Sequence, residues 1–117
     1  MRLFLLGVLL GLSACRSWGR PDEFKWEVVL ETPKVSRGGD LVFRVETKGA
    51  DGAPVKGIFF MYVIDWASVK GSRHKGASYE EQSQRVKGDR GAGELRIYAR
   101  NETDNLIEVA RATFQIE

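Results

Sequence analysis

The sequence predicts an all-β fold, an antiparallel β-sandwich of about seven strands. Three observations predict it. Apolar and polar residues alternate with a period of two in several runs between Phe24 and Ile116. Breaks rich in Gly, Pro, Asp and Asn recur between those runs. No stretch carries a convincing pattern for a long amphipathic helix.

In chain order, Phe24, Trp26, Val28 and Leu30 alternate with Lys25, Glu27, Val29 and Glu31. After Pro33 and the turn Arg37-Gly38-Gly39-Asp40, the residues Leu41, Phe43, Val45 and Thr47 form a second alternating run. Asp51-Gly52 marks the next turn, because such a pair reaches positive φ cheaply. Val55–Trp66 is the most apolar run beyond the N-terminus. Ile58, Phe60, Tyr62, Ile64 and Trp66 share one face; Phe59, Met61, Val63 and Asp65 share the other. Aromatic and β-branched enrichment favours a central strand over a buried helix. Residues 67–77 read as a loop, and residues 78–87 fit either an exposed strand or a short helix. Leu95, Ile97 and Ala99 alternate in the next strand. Asn101–Asn105, which contains an Asn-Glu-Thr sequon, reads as a turn. In the last strand the apolar parity switches between Ile107/Val109 and Ala112/Phe114/Ile116, which predicts a β-bulge near Ala110-Arg111.

Ahead of these strands stand Arg2, an apolar run from Leu3 to Leu12, and then Ser13-Ala14-Cys15, which holds the only cysteine. The apolar run is too short to span a bilayer, which takes about 20 residues. Positive end, short apolar core and small-small-Cys together resemble the signal peptide and lipobox of bacterial lipoproteins. The resemblance implies cleavage before Cys15, a diacylglyceryl thioether on its sulfur and, in many bacteria, a third acyl chain on its amine. Two or more chains hold a protein stably at a membrane. Arg16 stands where the family's inner-membrane retention signal has Asp. The expected address is therefore the cell envelope, lipid-anchored, on the outer membrane facing the periplasm in a Gram-negative cell. The domain plan is a leader at 1–14, a lipidated tether at 15–23 and a sandwich at 24–117. Trp18 in the tether suits either the membrane interface or a seat on its own domain.

Three stretches, Ser36–Phe43, Gly52–Val55 and Gly93–Ala99, look like the immunoglobulin-like and fibronectin type III-like domains of bacterial surface proteins. The Cys…Trp…Cys spacing of true immunoglobulin domains is absent.

Composition narrows function. The chain has 18 basic and 16 acidic side chains. Of these only Arg2 leaves with the leader, so the mature chain is close to neutral. A nucleic-acid binder needs a clustered basic field, so no nucleic-acid partner is expected. His74 is the only histidine. With Cys15 acylated, no zinc set can be assembled, and no calcium-loop spacing occurs, so neither metal nor cofactor is expected. His74 with Ser72 or Ser68 and Asp65 would be a triad of sequence neighbours, whereas triads converge in space from separate elements. The chain reads as non-enzymatic.

Two binding roles remain. The first is a membrane-anchored protein-binding or assembly module, acting through a loop end or an exposed strand edge. The second is a saccharide or anionic-polymer module built on the basic loop 67–78. Its candidate residues are Arg73, His74 and Lys75, with Trp66 and Tyr79 as aromatic faces at the loop's margins. The plainer reading of the same loop is a solvated connection between strands.

Overall fold

The computed structural model describes residues 18–117. Cys15, the leader and the lipobox therefore lie outside the described residues. Eight strands follow one another, one more than expected, and there is no helix among the described residues. They are β1 (Lys25–Leu30), β2 (Lys34–Val35), β3 (Asp40–Lys48), β4 (Phe59–Asp65), β5 (Ser72–Ala77), β6 (Gln82–Arg85), β7 (Gly91–Arg100) and β8 (Leu106–Ile116). They form two sheets, of order β1-β3-β6 and β2-β8-β7-β4-β5. All pairings are antiparallel except the short one between β2 and β8.

The period-two reading translates directly into faces. Leu41, Phe43, Val45 and Thr47 of β3 are buried, while Arg44 between them is exposed. Phe60, Tyr62 and Ile64 of β4 turn the same way as Leu95, Ile97 and Ala99 of β7, and all six are buried. The two sheets meet through these residues. The rings of Phe43 and Tyr62 make an edge-on contact with centroids 4.9 Å apart. Thr47, the one buried polar residue of β3, donates its hydroxyl to the carbonyl of Val55 at 2.6 Å, which satisfies a group that would otherwise be costly to bury.

Gly93 sits opposite Phe114 in the β7–β8 ladder. A Cβ at this position would run into the Phe114 ring, so the glycine is required by close approach. The parity switch in the last strand is real. Ile97 pairs with Ala110 but Tyr98 pairs with Glu108, leaving Val109 as the extra residue of a bulge just ahead of the expected place. The preceding turn is closed by Asn101, whose Oδ1 accepts from the amides of Thr103 and Asn105.

The expected loop at 67–77 is corrected. Only its first part is irregular; Ser72–Ala77 is β5, paired to β4 along its whole length and forming an edge of the five-stranded sheet. The ambiguous segment 78–87 resolves as a turn followed by the strand β6.

Replacing Phe43 by Ala should cost about 3–5 kcal/mol, because it opens a cavity between the sheets. Gly93→Ala should cost about 1–3 kcal/mol through overpacking. Urea unfolding of both variants against the parent checks these values.

Candidate functional site

The expected binding residues do not form one cluster. Trp66 lies just past the end of β4 with 0% exposure, its ring edge-on to Phe114 at 5.6 Å. It is a core residue, and its indole N–H has no protein partner among the described residues. Tyr79 occupies the turn after β5 with φ of 67° and a buried hydroxyl. The backbone there is held by its own amide, which donates to the carbonyl of Val45 at 2.8 Å. Trp66 is thus committed to the core, and the Tyr79 hydroxyl is turned into the protein.

Because β5 is a strand, its residues alternate. Arg73 and Lys75 are exposed on the outer face of the sheet, opposite Val63 and Met61 of β4. His74 points the other way, opposite Tyr62, and stacks on that ring at 5.1 Å. Its Nε2 lies 2.8 Å from Ser72 Oγ. Tyr62 OH in turn accepts from the side-chain amide of Gln84 on β6 at 2.8 Å. Among the described residues, no carboxylate bonds His74 as the third member of a triad would. Asp65 accepts from the Gly71 amide and from Arg96 instead, at 2.8 and 2.7 Å. Burial pushes the His74 pKa below its ordinary 6.5, and the charge of Lys87 adds to the effect. Burial likewise raises the phenol of Tyr62, against the opposing effect of its bond to Gln84.

The outer face of the five-stranded sheet carries the residues that sequence reading did not assemble. The backbone of Gly19 bridges two strands: its amide donates to Phe59 O at 2.9 Å and its carbonyl accepts from Arg100 N at 3.1 Å. Trp18 is thereby laid against the outer face, edge-on to Phe59 at 6.4 Å. The guanidinium of Arg100 lies 4.7 Å from the Trp18 ring centre and Lys75 Nζ lies 5.7 Å away, both within cation–π range. Of the two seats open to Trp18, the structure shows the one on its own domain. Gly19 must be glycine, since a Cβ would meet Trp26 and Ile58.

A cleft of about 440 Å³ opens beside this cluster, lined by Trp18, Phe59, Lys75, Gly76, Ala77, Glu80 and Gln82. A second, of about 320 Å³, lies along the same face, with Met61 and Val63 as apolar lining and Arg73, Arg96 and Tyr98 around them. Beyond it runs an ion network. Arg96 holds Asp65, and Arg111 holds both Glu94 and Glu108 at 3.0 and 2.8 Å. Arg111 keeps the Glu108 carboxyl below its usual range. By contrast, Arg73 and Lys75 have no carboxylate partner among the described residues. No group of His, Cys, Asp and Glu suited to a metal ion occurs among the described residues.

No protein-family model and no curated protein sequence matches the chain. Among solved structures, it is similar to the alkylpurine DNA glycosylase AlkC of Pseudomonas fluorescens, bound to DNA containing an abasic site analogue. The TM-score is 0.56 at 12% identity, over 91% of this chain and 33% of the glycosylase chain. This chain thus spans about a third of that protein's length. At this identity the likeness is one of fold alone.

The depressed His74 pKa fixes the sign of a pH effect. Between the folded value and the ordinary 6.5, the unfolded chain binds the proton and the folded chain does not, so stability falls as pH drops through that window. An NMR titration of His74 should give a midpoint below 6.5. His74→Gln should flatten the pH dependence of unfolding over the same window.

Proposed function

We propose that the chain is a membrane-anchored cell-envelope lipoprotein. In this reading an immunoglobulin-like sandwich serves as a non-enzymatic protein-binding or assembly module. The observation that carries it is the open edge of the five-stranded sheet at β5. Among the described residues, the six residues of β5 pair with a neighbouring strand on one side only. An edge of this kind accepts an added strand, with main-chain hydrogen bonds giving affinity and alternate side chains giving selectivity. Arg73 and Lys75 are those alternate side chains on the outer face. They discourage pairing with a second copy of the same basic edge and favour an acidic partner strand. The immunoglobulin-like assignment draws support from the three- and five-stranded sheets packed across Phe43 and Tyr62. Lipidation draws its support from the leader and Cys15 in the sequence.

A second reading, a saccharide or anionic-polymer module, is favoured by the cleft beside Trp18. Phe59 and the Trp18 ring there adjoin Lys75, Glu80 and Gln82, a mixture of apolar faces and polar groups suited to a sugar. Of the residues first expected for that role, only Lys75 lines this cleft.

Cys15→Ala should shift the protein from the membrane fraction to the soluble fraction and abolish labelling by radioactive palmitate. A photo-crosslinking residue at position 73 or 75 should capture one envelope protein in native membranes, whereas the same probe at position 44, on the three-stranded sheet, should not. Capture only from position 44, or from none, overturns the edge-binding reading. Glycan calorimetry with Trp18→Ala checks the alternative.

A further inference from the structure

We propose that the outer face of the five-stranded sheet, at the end marked by Trp18, Phe59 and Lys75, rests on the headgroups of the same bilayer that holds the acyl chains of Cys15. Arg73 and Lys75 then contact anionic lipid phosphates. The inference rests on lipidation of Cys15 and goes beyond it by fixing which face looks at the membrane.

Covalent geometry sets the distance. Three peptide units separate Cys15 from Trp18, and a trans chain advances at most about 3.6 Å per residue, so their α-carbons lie within about 11 Å. Trp18 is not free to wander from the domain. Gly19 ties its backbone to both β4 and β7 through Phe59 and Arg100. A lipid on Cys15 therefore brings this end of the sheet to the level of the headgroups, whatever path the intervening residues take.

The chemistry of the surface suits that place. An indole and a phenyl ring stand together there, with Phe59 exposed by 45%. Aromatic rings with apolar bodies concentrate at membrane interfaces. Lys75 borders the cleft beside them, and Arg73 lies two residues along the same strand face. Neither is neutralised by a carboxylate among the described residues. Asp65, Glu94, Glu108 and Asp104 are each held by an arginine. Glu80 is the one carboxylate among the residues lining the cleft. Juxtamembrane cations gain from the negative surface potential of an anionic leaflet, and the gain decays within a Debye length.

Two measurements test this separately from the anchor. The intact mass of the mature protein reports whether Cys15 carries lipid. Its absence overturns both the anchor and this inference. Co-sedimentation then uses the chain from residue 15 onward with Cys15→Ser, its fold checked by circular dichroism. Vesicles contain phosphatidylcholine alone or a mixture with phosphatidylglycerol. Binding should favour the anionic vesicles, weaken as salt rises from about 0.1 M to about 0.5 M, and fall about fivefold for each of Arg73→Gln and Lys75→Gln. In the acylated protein, a headgroup-level spin label should quench fluorescence, and Trp18→Phe should remove that quenching. Lipid on Cys15 with no preference for anionic vesicles and no quenching at Trp18 overturns the inference and leaves the anchor standing. Binding to soluble polyglutamate as strong as to anionic vesicles assigns the patch to an acidic polymer and also overturns it.

Discussion

The structure depends on the meeting of Phe43 and Tyr62. Each ring belongs to a different sheet, and their edge-on contact is the point where β3 and β4 are pinned together. Aromatic pairs in this arrangement gain from opposed quadrupoles in addition to buried area. The consequences spread outward from β4. Its inner residues are committed to the core, so the side chains on its other face must be covered by neighbours or left for a partner. Tyr62 also reaches the sheet margin, where its hydroxyl meets Gln84 and its ring supports His74. One side chain thus joins the core to two of the edge strands, β5 and β6.

Strands that bury apolar residues on one face announced themselves. β3 and β7 alternate cleanly, and every residue assigned to their inner faces is buried. β5 was illegible for a physical reason. Its sequence is Ser-Arg-His-Lys-Gly-Ala, with no large apolar residue on either face. Its inward positions are filled by Ser72, His74 and Gly76; His74 stacks on the Tyr62 ring, and Gly76 lies close to the Phe60 ring and to Gln82. The strand exists because β4 offers it a complete ladder, and such tertiary support leaves no trace in local composition. Trp66 teaches the opposite lesson. Its parity with Ile58, Phe60, Tyr62 and Ile64 already placed it on the core face, and that signal was stronger than its nearness to the basic segment.

The sequence left two seats open for Trp18, the membrane interface and its own domain, and could not choose because the role of Gly19 beside it is long-range. A Trp-Gly pair in a polar stretch looks like linker. Here the glycine slips between β4 and β7 where a side chain would strike Trp26 and Ile58, and the tryptophan is thereby turned onto the outer face. The cations that meet it, Arg100 and Lys75, come from strands far apart in the chain. The alternation of Arg96, Tyr98 and Arg100 on the wet face of β7 was visible in the sequence. Their convergence with Trp18 and with β5 was not, since it depends on which strands become neighbours.

The outer face of β5 presents side chains and its open edge presents main-chain donors and acceptors, because the two sets of groups point in perpendicular directions. In the proposed arrangement a bilayer takes the side chains of Arg73 and Lys75, while the main chain of β5 stays open along the plane of the membrane. A partner adding to that edge would approach laterally, as another membrane-bound protein does. The same two cations would then serve both contacts, since lipid phosphates and an acidic partner compete for them. Binding at the edge would release headgroups from Arg73 and Lys75, so the composition of the membrane would set the affinity for the partner. That coupling follows from two neutralising agents sharing one pair of charges and requires no change in the fold.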